Sequence, residues 1–218
     1  MSDVWVVIAA FNEEKNIGGV IDKTKEFCKN IVVVDDGSSD NTFGIAKSKG
    51  VFVLRHVVNL GKGAAVKTGC DFAVSRGAGV LVLIDGDGQH DPGDISRFLD
   101  ALNGKDVVFG FRRLSGSMPF VFRFGNWVIN LFTRFLYGVR LRDTQCGFRV
   151  LTADAYKKVR WRACDYFMES EMIANVGRHK LKYCELPIST VYADKYKGTT
   201  VVDGFRIVLN LFLWRFRR

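Results

Sequence analysis

The sequence predicts an α/β domain whose core is a mostly parallel sheet flanked by helices. Short apolar runs, which are typical of buried strands, alternate with segments that have the apolar period of helices. The connections are short, and three of the apolar runs end in acidic or amide residues, where open parallel sheets bind their ligands. The 218 residues are enough for one domain, predicted to span 1–218.

Five apolar runs are predicted to be the strands of this sheet. Each is rich in branched apolar residues, and each begins next to an aspartate, asparagine or glycine. In chain order they are Val4–Ala10, Ile31–Val34, Val51–Leu54, Val80–Ile84 and Val107–Gly110.

The segments between these strands are predicted to be helices with start signals. Asn12 is expected to cap a helix whose apolar face begins at Ile17, and Asp40 is expected to cap the next, short helix. Residues Lys62–Ser75 are predicted to be helical throughout. Asp91 is followed by a proline and opens the helix before the fifth strand.

The composition excludes several classes of protein. The chain is 48% hydrophobic and 25% charged, which argues against a disordered or fibrous protein. Its five cysteines include no CxxC pair, so a zinc ribbon, a redox motif or a disulfide scaffold is not expected. The first residues lack the basic start of a signal peptide, and no apolar run reaches the roughly 18 residues of a membrane-spanning helix. We therefore expect a cytosolic chain.

The net charge of +9 is concentrated in two stretches. Residues 112–142 contain six arginines and no acid, and residues 204–218 contain four arginines and no acid. Both stretches carry aromatic residues at helical spacing, and we predict amphipathic interfacial helices at about 119–138 and 203–218. This pattern favours a membrane surface over nucleic acid as the partner. The alternative for each stretch is a helix that packs into the core.

An acidic motif follows the fourth predicted strand. Asp85 and Asp87 are separated by Gly86, which allows close approach of a ligand to the backbone, and Gln89 takes the next alternate position. Hard oxygen ligands in this pattern suit Mg²⁺ or Mn²⁺ bridged to a diphosphate, so we predict Asp85, Asp87 and Gln89 as metal ligands. His90 could be a further ligand or a capping neighbour.

A glycine-rich turn leads into the helix predicted at Lys62–Ser75. It reads NLGKG at 59–63, which is not the spacing of an ATPase phosphate loop. Backbone N–H groups and a lysine at a helix start can nevertheless bind a nucleotide, so we predict this role for Lys62. A plain helix-start turn is the alternative.

Seven short motifs occur in order along most of the chain, from about Val4 to Thr200. They read IAAFNEE (8–14), VVDDGSSDNT (33–42), NLGKGAAVKTG (59–69), DGDGQHDP (85–92), GFR (110–112), DTQCGFR (143–149) and ESE (169–171). Together they resemble the family 2 glycosyltransferases, and within these the dolichol-phosphate mannose synthase-like group. The resemblance implies the GT-A fold of nucleotide-diphosphosugar transferases. It also implies the inverting transfer of one sugar from a nucleotide-sugar to a lipid phosphate.

The resemblance implies roles for residues around the donor. Phe11, Glu13 and Asp36 fall where the family holds the base and ribose, and the acidic motif falls on the metal and diphosphate. Ala9 stands where the family usually has a proline. We expect these four residues and Gly86 to line the donor site.

The resemblance also implies roles near the acceptor. Arg112 and Arg123 fall where the family has arginines facing the acceptor phosphate, and Arg112 is expected to reach the donor as well. Asp143 opens the second acidic motif, near the reacting centre. A lipid phosphate is already anionic, so we expect Asp143 to orient the acceptor site more than to remove a proton. With Asp87, these three residues are the predicted catalytic set.

The sequence departs from the family in its late Gly-Ser-Lys element. That element reads Gly-Thr-Thr at 198–200, so its lysine is missing. Lys195 or Lys197 could reach the diphosphate instead.

The predicted function is transfer of a hexose, mannose or glucose, from GDP-mannose or UDP-glucose to dolichyl or polyprenyl phosphate at the cytosolic membrane face. One alternative is a soluble family 2 transferase with a sugar or protein acceptor. A second is a non-catalytic module that binds membranes or nucleic acid, although the intact acidic motif argues against it. A nucleotidyltransferase with the same sheet is more remote, because its glycine-rich signature after the first strand is missing.

Overall fold

A seven-stranded sheet forms the centre of the molecule. The computed structural model describes residues 3–112, 130–165, 167–189 and 212. The strands are β1 (Val4–Ala10), β2 (Ile31–Asp35), β3 (Phe52–Arg55), β4 (Val80–Asp85), β5 (Val107–Arg112), β6 (Arg149–Thr152) and β7 (Tyr183–Ile188). Their order in the sheet is β3-β2-β1-β4-β6-β5-β7.

The sheet is parallel except at one strand. β6 pairs antiparallel with both β4 and β5, whereas the other neighbouring strands run parallel. The five predicted strands are present with small shifts at their ends, and β6 and β7 are two strands that the sequence reading missed. The mostly parallel α/β sheet is therefore confirmed, and the carboxyl ends of β1, β2, β4 and β5 meet at one edge.

Helices cover both faces of this sheet. They are α1 (Ile17–Lys25), α2 (Thr42–Ser48), α3 (Lys62–Ser75), α4 (Ile95–Ala101), α5 (130–137), α6 (Ala153–Val159) and α7 (Phe167–Arg178), with a 3₁₀ turn at Pro92–Asp94. Alternate residues of each strand point to opposite faces. Val7 therefore packs with α3, α6 and α7 on one face, and Ile8 packs with α1 and α4 on the other.

One predicted helix cap is wrong, one is displaced by one residue, and one is confirmed. Asn12 lies in a turn with a positive φ of 55°, and α1 begins only at Ile17, because the Asn12 amide oxygen accepts instead from Ser39 N at 2.9 Å. Asp40 lies one residue before the N-cap position of α2, yet its carboxylate accepts from Thr42 N, at the start of that helix, at 3.0 Å. Asp91 accepts from Gly93 N and caps the 3₁₀ turn that leads into α4, as predicted.

The first predicted amphipathic helix is described only in part. Within α5, Thr133 and Tyr137 are buried, whereas Leu131 and Phe135 are 46% and 85% exposed. This helix therefore packs on the core and also presents apolar side chains to the surroundings. Residues 119–129 of the first segment and almost all of 203–218 lie outside the described residues. In the described part of the chain, no helix is both long and apolar enough to cross a bilayer.

The glycine-rich turn is explained by close packing against a distant loop. Gly61 has a φ of +95°, and a Cβ there would lie 2.4 Å from the carbonyl oxygen of Cys164. That oxygen accepts from Ala64 N at 3.0 Å, and the Trp161 indole donates to Gly63 O at 2.8 Å. The loop at 161–165 thus lies directly against the start of α3.

Gly61→Ala is expected to lower the free energy of unfolding by about 1–3 kcal/mol, because alanine cannot adopt this backbone conformation without strain. Gly19→Ala is the matched control. Gly19 lies inside α1 with open space around it, so alanine there should stabilise the protein by about 0.5–1 kcal/mol. Urea denaturation measures both, and a neutral effect at Gly61 would contradict the packing described here.

Candidate functional site

The edge where the parallel strands end brings several predicted residues together. The last two carbonyls of β1 accept hydrogen bonds from its neighbours: Ala10 O from Asp36 N, and Ala9 O from Gly86 N, both at 2.9 Å. A Cβ on Gly86 would lie 3.0 Å from Ala9 O, which explains the glycine. Phe11 follows directly and is 45% exposed. Ala9, Phe11, Asp36 and Gly86 therefore lie together at this edge of the sheet.

Asp36 is buried and holds the loop that enters α3. One carboxylate oxygen lies 2.6 Å from His56 Nδ1 and accepts from Leu60 N, and the other accepts from Gly61 N at 2.8 Å. His56 Nε2 in turn lies 3.0 Å from the Thr68 hydroxyl. Asp36 thus fixes this loop beside the proposed base site. His56 belongs to none of the sequence motifs, so the sequence reading missed it.

Glu13 lies in the turn before α1. Its carboxylate accepts from Asn16 Nδ2 at 2.8 Å, and its backbone N–H donates to the Thr42 hydroxyl at 2.8 Å. The first contact is local to the turn, and the second links the end of β1 to the start of α2, on the Asp36 side of the edge.

Lys62 lies between two carboxylates. Its ammonium is 2.9 Å from one oxygen of Asp85 and 3.0 Å from Oε1 of Glu169, at the start of α7. Burial alone would lower the pKa of Lys62, but the two carboxylates raise it above its usual value. Burial opposes ionisation of Asp85 as well, yet Lys62 holds the pKa of that carboxyl below its usual value. Lys62 and Asp85 therefore form an ion pair at neutral pH.

The remaining residues of the acidic motif lie beside this cluster. Asp87 Oδ1 accepts from Gln89 N at 3.0 Å, and both residues are partly exposed. His90 Nδ1 accepts from Asp85 N at 3.2 Å, and burial lowers the pKa of His90. That ring nitrogen is engaged with the backbone, as expected of a capping neighbour of the motif.

The donor set of the acidic motif fits Mg²⁺ or Mn²⁺. No group of three or more His, Cys, Asp or Glu residues that could hold a metal occurs in the described ranges. Mg²⁺, however, is usually held by one or two carboxylates together with substrate phosphates. Asp87 accepts one hydrogen bond from the described residues and keeps its second oxygen for a cation. Asp85 would share its carboxylate between Lys62 and that cation.

Arg112 and Asp143 form an ion pair near the same edge. Arg112 Nε donates to Asp143 Oδ2 at 2.7 Å and Nη2 to Oδ1 at 3.1 Å, and the carboxylate is only 6% exposed. Gln145 N also donates to Oδ1. Both carboxylate oxygens are taken up by these donors, so the geometry suits an orienting role better than that of a general base.

A buried arginine joins the second acidic motif to the start of α7. Arg149 is 1% exposed, and its guanidinium donates to the carbonyls of Thr144 and Cys146, at 3.1 and 3.0 Å, and to Glu169 O. It therefore fixes the loop that carries Asp143 against the start of α7. Arg149 and Glu169 lie in the motifs DTQCGFR and ESE, but the sequence pattern alone did not indicate a role for either residue. Arg123, Lys195 and Lys197 lie outside the described residues.

Comparison with known proteins agrees with this architecture. The model of the family described as glycosyl transferase family 2 matches residues 5–160. The UDP-N-acetylglucosamine–dolichyl-phosphate N-acetylglucosaminyltransferase of Methanococcus voltae is 32% identical, over 96% of this chain and 95% of that protein. The polyprenol monophosphomannose synthase of Mycolicibacterium smegmatis is 29% identical, over 93% of this chain and 82% of that protein.

Solved structures show the same fold. Glucosyl-3-phosphoglycerate synthase from Mycobacterium tuberculosis superposes with a TM-score of 0.76, at 21% identity, over 97% of this chain and 79% of that one. The same synthase has also been crystallised with Mn²⁺ and UDP. The structural likeness confirms the GT-A type of α/β fold. With the family match and the two relatives, it shows that this chain belongs to glycosyl transferase family 2, in its polyprenyl-phosphate sugar transferase group.

Proposed function

We propose that this enzyme transfers a sugar from a nucleotide-sugar to dolichyl or polyprenyl phosphate at the cytosolic membrane face. The observation that carries the proposal is the share of this chain that aligns with such enzymes. Relatives named for this chemistry align with almost the whole chain, so the alignment includes both acidic motifs and the arginine-rich stretch after β5.

The donor is proposed to bind at the edge formed by β1, β2 and β4. Phe11 and Glu13 would border the base and ribose, and the diphosphate would lie at Asp85, Asp87 and Gln89 with a divalent cation. That cation, when bound, supplies positive charge to the departing diphosphate. Lys62 adds a second, fixed positive charge beside Asp85. The residues of this edge are thus suited to stabilising a leaving group, which is the main requirement of a nucleotide-sugar donor.

The acceptor is proposed to approach from the side of Arg112 and Asp143. A phosphate oxygen of the lipid attacks the anomeric carbon from the face opposite the diphosphate. The new C–O bond forms as the bond to the nucleoside diphosphate breaks, with inversion. The lipid phosphate is anionic at neutral pH, so no side chain needs to remove a proton. Asp143 would keep the Arg112 guanidinium in place to receive the phosphate.

Helix α5 is proposed to contact the membrane. Leu131 and Phe135 are one helical turn apart and exposed, and Arg134 lies between them in the sequence. The Asn130 amide donates to Arg142 O at 2.9 Å, beside Asp143. A membrane contact through this helix would therefore place the acceptor phosphate close to the ion pair.

Phe135→Ser is expected to weaken binding to anionic liposomes by about 10- to 150-fold, because burial of a phenylalanine in an apolar environment contributes roughly 1.5–3 kcal/mol. Val57→Ser is the control, since Val57 is 99% exposed but lies outside α5. Co-sedimentation measures both variants. Equal effects of the two substitutions would contradict a specific role for α5.

A donor and acceptor panel tests the proposed function. The purified enzyme is incubated with UDP-N-acetylglucosamine, UDP-glucose or GDP-mannose, with Mn²⁺, Mg²⁺ or EDTA. The acceptor is either a short polyprenyl phosphate in detergent or 3-phosphoglycerate. We expect one sugar to be transferred to the lipid phosphate and EDTA to stop the reaction. Transfer to the soluble acceptor alone would overturn the proposal, and the donor that reacts identifies the sugar.

A further inference from the structure

Glu169 lies beneath the donor site without reaching its surface. Its side chain is 3% exposed, and Oε1 lies 3.0 Å from the Lys62 ammonium. Oε2 has no hydrogen-bond partner among the described residues. A carboxylate this deep in a protein needs a compensating partner close by, and the Lys62 ammonium is such a partner.

Lys62 connects Glu169 to the acidic motif. Its ammonium lies 2.9 Å from one oxygen of Asp85 and 3.0 Å from the other. Gly147 closes the cluster from the side of the second acidic motif, since a Cβ there would lie 2.5 Å from Asp85 and 3.0 Å from the ammonium. Lys62 and Asp85 therefore have little room to rearrange.

The cluster has no room for a substrate. The cavity lined by Lys62, Asp85 and Glu169 has a volume of about 10 Å³, no more than one water molecule requires. Glu169 therefore cannot act by touching the donor. Any effect of Glu169 on the reaction is therefore indirect, and its side-chain contact toward the acidic motif is the one with Lys62.

We propose that Glu169 is a positioning residue for donor binding, which holds the Lys62 ammonium so that Lys62 fixes the Asp85 carboxylate toward the metal and diphosphate. This inference rests on the proposed donor site. Residues that hydrogen-bond to metal-binding carboxylates commonly change metal affinity or activity by about 10- to 100-fold when they are replaced. Without Glu169, the full charge of Lys62 would fall on Asp85 and weaken its attraction for a cation.

Calorimetry with Mn²⁺ and UDP or GDP tests this proposal without any acceptor. Glu169→Gln is expected to weaken binding of the Mn²⁺–nucleotide pair by about 10-fold. In a Lys62→Gln background, the same substitution should change the affinity less than about 2-fold, because its effect passes through Lys62. In the transfer assay, Glu169→Gln should raise the donor KM and leave the acceptor KM unchanged.

Asp71→Asn is the control for a merely structural loss. Asp71 joins α3 to α6 through Tyr156 and Arg160, away from the acidic motif. The Asp71→Asn substitution should lower the melting temperature of the protein without changing its affinity for the nucleotide. If Glu169→Gln does not fold, the double variant Lys62→Gln/Glu169→Gln replaces it. The nucleotide affinity of the double variant should equal that of Lys62→Gln. Equal losses in both backgrounds, unchanged binding, or a wild type that binds neither nucleotide would overturn the proposal. Failure of transfer to lipid phosphate alone would not.

Discussion

Asp87→Asn is expected to lower the transfer rate by about 10²-fold or more. Asparagine keeps the size of the side chain but removes one negative charge from the proposed cation site, which should cost several kcal/mol of transition-state stabilisation. Asp87 contributes little to the fold, since it accepts only one hydrogen bond from the described residues, that of Gln89 N. The fold should therefore tolerate the change. Initial rates at saturating donor and Mn²⁺ measure the effect.

Asp91→Asn is the matched control for this experiment. It is the same substitution in the same DGDGQHDP motif, but Asp91 caps the 3₁₀ turn and pairs with Lys23 at the surface. Asparagine also caps helical turns, and a surface ion pair contributes at most about 1 kcal/mol. This variant should transfer sugar within about 2-fold of the wild type. Near-normal turnover of Asp87→Asn would reject the metal assignment.

Arg112→Ala is expected to reduce both stability and acceptor use. Removing the guanidinium leaves the buried Asp143 carboxylate without its ion-pair partner, which should lower the free energy of unfolding by about 3 kcal/mol. That is the lower end of the range for a buried pair, because the Arg112 side chain remains 22% exposed. Loss of a charge-assisted contact to the acceptor phosphate should lower kcat/KM for the acceptor by about 10- to 150-fold.

A second variant separates these two effects. In Arg112→Ala/Asp143→Asn the buried negative charge is gone, so most of the lost stability should return. Acceptor use should stay low, because the phosphate still lacks its arginine. Urea denaturation and acceptor-dependent kinetics measure the two properties. If the double variant also recovers its acceptor kcat/KM, then Arg112 serves only to neutralise Asp143 and does not bind phosphate.

The strands that the sequence predicted correctly are those with a strong local signal. β1, β2 and β4 are unbroken apolar runs, and β2 and β4 end in aspartates; both observations are visible without knowing any neighbour. β6 lacked this signal. It has four residues and begins with Arg149, whose charge argues against a buried strand. Its antiparallel place between β4 and β5 depends on partners distant in the chain, which local periodicity does not reveal.

The sequence by itself determined the family, the parallel sheet and the residue types at its ligand-binding edge. Motif order and apolar runs can be read from the sequence, and they placed the acidic motif of Asp85, Asp87 and Gln89 at the end of the fourth strand. Only the tertiary structure decided which charges are paired. Asp36 binds His56, Asp143 binds Arg112, and Glu169 holds Lys62 against Asp85. Burial makes each such charge depend on a partner that the fold brings from elsewhere in the chain, and no spacing in the sequence specifies that partner.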